Sequence, residues 1–301
     1  MEGDGREWSG LAREMMVNIL SRLTLEERWK GPMFVCKSWL LASRDPFLFS
    51  VFDLEPFFGS HSSSSSRFWS PDFERRIDSM IRSVVDWSNG RLAEIRLRHC
   101  TDASISYVAD RCPDLQILAT RSCPNITDAS MSKISFRCTK LKELDISYCH
   151  EISHHTLVVI GTNCPNLTIL KRNLMSLSET GSAPAEYLGT CPQDGDVEAE
   201  AIGEHMPNLH HLEIESSRLT LRGLTAICEG CRKLENVDLS GCVHLSSRDI
   251  ESAASILKNL REMKKPDVYI PRQGIVAAAQ TERYGHWRLY DERFDVQSLR
   301  F

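Results

Sequence analysis

Hydrophobic positions recur along most of the chain with a period near 26 residues. The phrase Cys112-Pro-Asp-Leu-Gln-Ile-Leu returns in similar form at Cys138, Cys164 and Cys231, and at Met206 with methionine in place of cysteine. The first leucine of each unit, weaker copies included, falls at Leu92, Leu115, Leu141, Leu167, Leu209, Leu234 and Leu260. One step between these leucines is longer than the others and holds an insertion of about sixteen residues. Self-similarity at a fixed period is typical of a stacked repeat architecture.

Each unit has two halves with different periodicities. In the first half apolar residues alternate with polar ones, as at Leu144 and Ile146, which predicts a short strand buried on one face. In the second half apolar residues recur at helical spacing, as at Met131, Ile134 and Cys138. One strand and one helix per unit resemble the cysteine-containing class of leucine-rich repeats. We therefore predict an α/β solenoid of about seven strand–helix units over residues 90–265, with a parallel sheet on its concave face.

Three stretches depart from the repeat. The insertion, at about residues 175–198, contains glycine, proline and acidic residues and predicts a loop. The tail at 266–301 has two early prolines and many aromatic residues, which predicts a cap on the last repeat. The segment at 59–89 precedes the repeats, and we predict that it is a linker with a serine-rich tip followed by a connecting helix.

The first 58 residues show no repeat but hold nine of the seventeen Phe and Trp residues. Leu11 and Ile19 lie on one face of a predicted helix, and Val35 and Trp39 mark a second helix. A segment this short buries few side chains completely. Much of its apolar surface must therefore rest on another surface.

This segment resembles the F-box, a three-helix motif that here spans about residues 8–54. The family pattern is Leu-Pro-x-Glu before an apolar helix, then Val-Cys-x-x-Trp, then a proline and an aromatic residue. The chain keeps the family residues Leu11, Glu14, Ile19, Leu20, Leu23, Val35, Cys36, Trp39 and Pro46. It departs from the pattern at Ala12, where the family usually has proline, and at Phe49, where tryptophan is common.

An F-box followed by leucine-rich repeats resembles the substrate receptors of cullin-based SCF ubiquitin ligases, and this chain looks most like plant Skp-interacting F-box proteins. The resemblance implies a subunit that is not an enzyme. Its F-box would dock on a Skp-type adaptor, which leads to a cullin and a RING subunit, and its repeats would hold a protein substrate. The expected adaptor contacts, carried over from matching family positions, are Leu11, Glu14, Ile19, Leu20, Leu23 and Trp39. Some of these must form the internal core instead, and Trp39 fits either role.

The concave surface is set by the residues that flank the buried strand positions. Those expected there, and offered as candidate substrate contacts, are Arg96, Arg98, Arg121, Asp145, Lys171, Glu213, Glu215 and Asp238. The early strands are mostly basic and the later ones acidic, which favours a partner with opposite charge at each end. The alternative is that these residues only keep the strand face solvated.

Composition and charge exclude several other classes of function. With 42% hydrophobic and 26% charged residues the chain fits a globular protein, and a net charge of −5 gives no case for nucleic-acid or membrane binding. The acidic start without an apolar core predicts a nuclear or cytoplasmic location. Cys228 and Cys231 have metal-ligand spacing, but both are repeat positions in the buried stripe. No metal and no cofactor are therefore expected.

Two other functions stay open at this point. The chain could be a scaffold that works without the ligase, and Ala12 is the feature that allows this. It could also be a small-molecule receptor, which would need a closed pocket between the concave face and the insertion.

Overall fold

The structure is a computed structural model that describes residues 11–60, 66–174 and 195–266. At its centre is one parallel sheet whose strands lie side by side in chain order. The strands are β1 (Val51–Asp53), β2 (Glu94–Arg98), β3 (Ile117–Arg121), β4 (Glu143–Asp145), β5 (Ile169–Lys171), β6 (His211–Glu213), β7 (Asn236–Asp238) and β8 (Glu262–Lys264). This topology confirms the predicted α/β class and the parallel sheet.

An outer layer of helices alternates with the strands and covers one side of the sheet. These helices are α5 (Pro71–Ser88), α6 (Asp102–Arg111), α7 (Asp128–Arg137), α8 (His154–Asn163), α9 (Gly195–His205), α10 (Leu221–Gly230) and α11 (Ser247–Ala254). We call the opposite side of the sheet the concave face. The N-terminal segment contains α1 (Arg13–Leu20), α2 (Leu25–Lys30), α3 (Lys37–Ser43) and α4 (Glu55–Ser60), and short 3-10 helices lie at Pro32–Phe34, Pro46–Phe49 and Ser66–Trp69.

The repeat phrase accounts for the core. In one unit Leu141, Leu144 and Ile146 are completely buried between the sheet and the outer layer. Cys138, which opens the phrase, is the C-cap of α7 and is also completely buried. Polar residues such as Glu143 alternate with them and lie partly exposed. Because no unit can bury its own apolar stripe, this core forms only when neighbouring units stack.

Hydrogen bonds from one unit to the next fix the starts of several outer helices. The carboxylate of Asp128, at the start of α7, accepts the Ser153 backbone N–H at 2.9 Å and the Ser153 hydroxyl at 2.6 Å, and Ser153 is the N-cap of α8. Burial acts to raise the pKa of Asp128, but the hydrogen bonds from Ser153 and Thr156 outweigh it and hold that pKa below its usual value. Four aspartates make such bonds, and we call them the aspartate ladder: Asp78, Asp102, Asp128 and Asp196.

The solenoid begins earlier than the sequence predicts. β1 lies inside the segment assigned to the F-box, yet it pairs with β2 in parallel, with Phe52 aligned with Ile95. The predicted connecting helix is α5, which packs on α6 as the first helix of the outer layer and has Ser70 as its N-cap. The described sheet therefore has one strand more than the seven predicted units. The sequence around β1 lacks the repeat phrase, so the pattern does not reveal this strand.

A buried ion pair lies where the insertion interrupts the stack, and we call this place the seam. Arg172 occupies the strand position that holds Ile146 and Ile214 in other units, and Glu198 occupies the helix position that holds Ser130. The Arg172 side chain donates to the Glu198 carboxylate at 3.0 Å and to three main-chain carbonyl groups of the preceding unit at distances between 2.8 and 3.4 Å. Arg172 is 1% exposed and Glu198 is 4% exposed. The pair thus fills space that aliphatic and small side chains fill elsewhere.

Several sequence predictions fall wholly or partly outside the described residues. These are most of the serine-rich tip, most of the insertion, and the tail from residue 267 onward, so they stay predictions. The end of the insertion needs a correction, because α9 begins at Gly195 and residues 195–198 are helical.

The cysteines of the described residues are packing residues except Cys36, which is partly exposed and whose pKa is lowered by hydrogen bonds with Trp39 and Ser38. All ten are free, and nine of them are buried. Burial raises the pKa of the Cys228 thiol, and likewise that of Cys231, to about 12. The Cys231 thiol donates to the main-chain carbonyl of Met206 at 3.3 Å. Such thiols stay protonated near neutral pH, so they are poor nucleophiles and poor metal ligands.

Candidate functional site

Exposed apolar side chains are concentrated in the N-terminal segment. Eight of the eleven large hydrophobic side chains that are exposed in the described residues lie between residues 11 and 60. They are Met15, Ile19, Phe34, Val35, Leu41, Phe47, Val51 and Phe57, with Phe34 the most exposed at 80%. A soluble monomer rarely leaves so much apolar surface in one short segment unless that surface binds a partner.

Helix α1 shows how the local sequence produces this surface. The helix begins after Ala12, whose φ of −58° and ψ of 143° are backbone angles that proline also adopts. Met16, Val17 and Leu20 face the core. Met15 and Ile19, one residue before Met16 and Leu20, lie on the exposed side. Apolar residues therefore cover the buried side of the helix and part of its exposed side, and helical spacing alone does not tell which of them are buried.

The structure sorts the six predicted adaptor contacts into three groups. Glu14 and Ile19 are exposed, as a contact residue must be. Leu11, Leu23 and Trp39 are partly buried against the core. Leu20 is completely buried, so its assignment as a direct adaptor contact is wrong: it belongs to the internal core.

The residues that sequence reasoning missed lie on α1, on α3, and in or directly after the 3-10 helices at Pro32–Phe34 and Pro46–Phe49. They are Met15, Phe34, Val35, Leu41 and Phe47. The elements that carry them are in mutual contact, since α1 packs on α3 and on the 3-10 helix at Pro46–Phe49, and α3 packs on the 3-10 helix at Pro32–Phe34. The high content of aromatic residues in this segment indicates an exposed apolar surface, but it does not tell which rings point outward.

A groove of about 650 Å³ reaches one of these residues, Phe47. It lies between the polar side of α1 and the 3-10 helix at Pro46–Phe49. Its lining includes Arg13, Val17 and Phe47, and an ion pair of 2.7 Å joins Arg13 to Asp45 across it. The surface thus combines apolar anchors with a polar rim, the usual anatomy of a protein interface.

Aromatic packing joins the N-terminal segment firmly to the solenoid. Trp87 of α5 contacts Phe49 with ring centroids 5.3 Å apart and Trp29 at 6.4 Å, and Trp29 contacts Phe52 of β1 at 5.9 Å. Phe49 and Phe52 are completely or almost completely buried. The F-box and the repeats therefore share one hydrophobic core.

Ion pairs cover the N-terminal half of the concave face. Arg98 binds the Glu55 carboxylate through two nitrogens, at 3.0 and 2.7 Å. Arg96 binds Glu94 at 2.7 Å and Glu143 at 3.0 Å. Burial opposes the charge of Arg96, but its bonds with Glu143 and Glu94 raise its pKa. The predicted basic end of the face is thus neutralised by carboxylates, and the prediction of a polarised face is wrong for this half.

Two further predicted residues lie deeper in the same half. Arg121 stands 3.8 Å from Glu55 and 3.9 Å from Asp145, and its guanidinium lies 5.5 Å from the ring centre of Tyr148. Asp145 is 6% exposed, and burial raises its pKa even though Ser147 donates to it. Asp145 is therefore a structural residue that offers little surface to a partner.

The C-terminal half of the concave face keeps more of its predicted acidic character. Lys171 pairs with Glu213 at 2.8 Å, and Asp238 pairs with Lys264 at 2.8 Å. Burial acts to raise the pKa of Glu213, but Lys171 and His211 outweigh it and lower that pKa. Glu215 is partly buried, and its carboxylate has no hydrogen-bond partner among the described residues.

The other classes of site find no support in the described residues. No helix there has the length and apolar character needed to cross a bilayer. No group of three or more His, Cys, Asp or Glu side chains there could hold a metal ion. A pocket between the concave face and the insertion would involve residues outside the described part, so that alternative stays untested.

Comparison with known proteins agrees with this architecture. A family model of the leucine-rich repeat matches residues 137–153. The chain belongs to the F-box/leucine-rich-repeat proteins. It is 67% identical over 302 residues to F-box protein SKIP1 of Arabidopsis thaliana, with full coverage of both chains. It is 53% identical to Putative F-box/LRR-repeat protein 19 of the same plant, over 94% of this chain and 93% of the relative.

Among solved structures, the chain is similar to a chain in the crystal structure of the Rad7 and Elc1 complex in yeast. The identity is 17%, the TM-score is 0.45, and the match covers 57% of this chain and 41% of the other.

Proposed function

We propose that this protein is the substrate-recognition subunit of a cullin-based SCF-type ubiquitin ligase. Its F-box docks on a Skp-type adaptor, which connects to the cullin and RING subunits, and the concave face of its repeats holds the protein to be ubiquitinated. The chain itself brings the substrate close to the other subunits of the ligase and catalyses no reaction. A nuclear or cytoplasmic location is part of this proposal.

The observation that carries the proposal is the exposed apolar surface of the F-box. A helical partner needs a stripe of apolar anchors, and Met15, Ile19 and Phe34 offer large apolar side chains that the chain's own core does not cover. The partner expected from the family is an adaptor of this kind. The shared core of F-box and solenoid supports a receptor that holds its substrate at a fixed distance from the adaptor.

Adaptor binding tests the proposal directly. We expect a purified Skp-type adaptor to bind the full chain, and Phe34→Asp and Met15→Asp each to weaken binding at least thirtyfold, which corresponds to a loss of about 2 kcal/mol. Because both side chains are exposed, these variants should fold, whereas an aspartate at the buried Leu20 would damage the core.

Phe136→Asp is the matched control, because Phe136 is also exposed (65%) but lies on α7 in the outer layer of the solenoid. It should change adaptor affinity by less than about twofold. Absence of wild-type binding, or equal losses in all three variants, would favour the scaffold that works without the ligase. The backbone angles at Ala12 already suit a proline, so this departure from the family pattern gives the scaffold little support.

A further inference from the structure

The concave face carries most of the net negative charge of the protein. Nine carboxylates lie on or beside the strand positions of this face, namely Asp53, Glu55, Glu94, Glu143, Asp145, Glu213, Glu215, Asp238 and Glu262, against five cations, Arg96, Arg98, Arg121, Lys171 and Lys264. The excess of four negative charges compares with a net charge of −5 for the whole chain. This sheet face therefore complements a basic partner and repels an acidic one.

Apart from Glu262 at the exposed edge strand β8, the excess is least compensated at Glu215, which is partly buried. Two residues along the same strand face, Glu213 is saturated by Lys171 and His211 at 2.8 Å each and by Asn173 at 3.3 Å. Asp238 is held by Lys264 and by Ser240. Among the described residues Glu215 bonds only through its main chain: its N–H donates to the Asn173 side chain at 2.9 Å, and its carbonyl accepts the Leu174 N–H at 2.9 Å.

The surroundings of Glu215 make it a place where an added cation would be stabilising. Burial, followed by the negative charges of Asp238 and Glu213, raises the pKa of Glu215 and outweighs the opposing charges of Lys264 and Arg121. Glu215 lies in the turn after β6, where its main chain is fixed by hydrogen bonds with Asn173 and Leu174, and its neighbours on the same row, Asn173 and Ser240, have short polar side chains. A charge-assisted bond from a lysine or arginine would offset both the burial and the repulsion.

We propose that the C-terminal half of the concave face, centred on Glu215, binds a basic segment of the partner protein, with one lysine or arginine paired with the Glu215 carboxylate. This deepens the proposed function, on which it rests, by giving the chemical class of the substrate segment. The N-terminal half, whose arginines are already paired, contributes less to the choice of partner.

The test uses the full chain and two fluorescein-labelled octapeptides, one of alternating Lys and Gly and one of alternating Glu and Gly. Fluorescence anisotropy should show that the wild-type chain binds the lysine peptide at least tenfold more tightly than the glutamate peptide. Glu215→Lys should weaken binding of the lysine peptide at least tenfold. Glu229→Lys introduces the same charge change at an exposed position on α10, and it should alter the affinity by less than about twofold.

Three results would overturn the proposal: no measurable binding of the lysine peptide at millimolar concentration, equal affinity for the two peptides, or equal effects of the two variants. Circular dichroism of both variants checks that they fold. Adaptor affinity measured on the same samples separates this proposal from the previous one, since Glu215→Lys leaves the F-box surface unchanged. If the wild-type chain fails to bind the adaptor but still prefers the lysine peptide, the ligase assignment is refuted and the proposed basic partner segment is not.

Discussion

Replacing Arg172 by leucine tests whether the seam is held by its buried ion pair. Leucine is the kind of residue that other units carry at this position, as at Leu97 and Leu239, so the change restores the repeat pattern. It also removes the donors that reach Glu198 at 3.0 Å and the carbonyl groups of Cys149 and Ile152 at 2.9 and 2.8 Å. Leucine, although it is found at this position in other units, is therefore expected to destabilise the protein at position 172.

The magnitude follows from what the substitution leaves behind. Glu198 is 4% exposed and would become a buried carboxylate without its cation. Breaking a buried pair by removing one partner costs about 3–5 kcal/mol. The carbonyl groups of Cys149 and Ile146 still accept main-chain N–H groups, so losing their bonds to Arg172 adds little. The Ile152 carbonyl, in contrast, loses its donor and adds to the cost. We expect Arg172→Leu to lower the free energy of unfolding by about 3–5 kcal/mol.

The double variant Arg172→Leu/Glu198→Ser tests whether the unpaired Glu198 carboxylate causes this loss of stability. It buries no charge and returns both positions to residues found in other units, so it should recover most of the lost stability. Urea unfolding followed by circular dichroism measures the change, provided that the slope with urea stays constant. Arg76→Leu, at an exposed arginine of α5, is the control and should shift the free energy by no more than about 0.5 kcal/mol.

Two outcomes would refute this reasoning. One is a loss below about 1 kcal/mol for Arg172→Leu, which would place the pair among weak surface contacts. The other is additivity: the double variant would lose as much stability as Arg172→Leu and Glu198→Ser lose together. That result would mean that the two side chains do not interact.

Two further predictions concern the backbone and pH. Ala12→Pro should raise stability by about 0.4–1 kcal/mol in urea unfolding, because φ is already −58°, while Ala129→Pro should lower it, because the Ala129 N–H donates to Thr127. Burial, with the charge of Arg98, lowers the pKa of His99 to about 4. The unfolded chain therefore gains a proton first as the pH falls from 6.5 towards 4, and stability should drop by about 3 kcal/mol. His99→Asn, which tolerates the φ of 55°, should remove this part of the pH dependence, and an unchanged slope would contradict it.

The sequence predicts the repeating part of the fold well because the same pattern of apolar residues occurs in every unit, so each copy supports the same assignment of strand and helix. Leu141, Leu144 and Ile146 fall on the buried side as their alternation requires. β1 escapes prediction because its only indication is two adjacent apolar residues, Val51 and Phe52, within the aromatic F-box segment. Its place in the sheet depends on pairing with β2, which local sequence does not encode.

The candidate site is less predictable for a different reason. The family pattern indicates which positions of the F-box are constrained. It does not tell whether an apolar residue there is buried in the internal core or exposed for an interface, because both places favour apolar side chains. Leu20 and Ile19 are adjacent and both apolar, yet one is completely buried and the other is 39% exposed. On the concave face, the predicted polarity counted the arginines and omitted their partners: Glu94 lies two residues from Arg96 on β2 itself, whereas Glu55 reaches Arg98 only when α4 packs on β2.

The aspartate ladder gives the solenoid a direction. Each ladder carboxylate binds the start of the helix that follows it in the chain, so the four units that the ladder reaches receive part of their cap from the N-terminal neighbour. Removing units from the C-terminal end leaves the remaining ladder bonds intact, whereas removing them from the N-terminal end deprives the next helix of its aspartate. Growth and fraying of the stack are therefore unequal at the two ends: the repeats should assemble outward from the F-box and open first at β8.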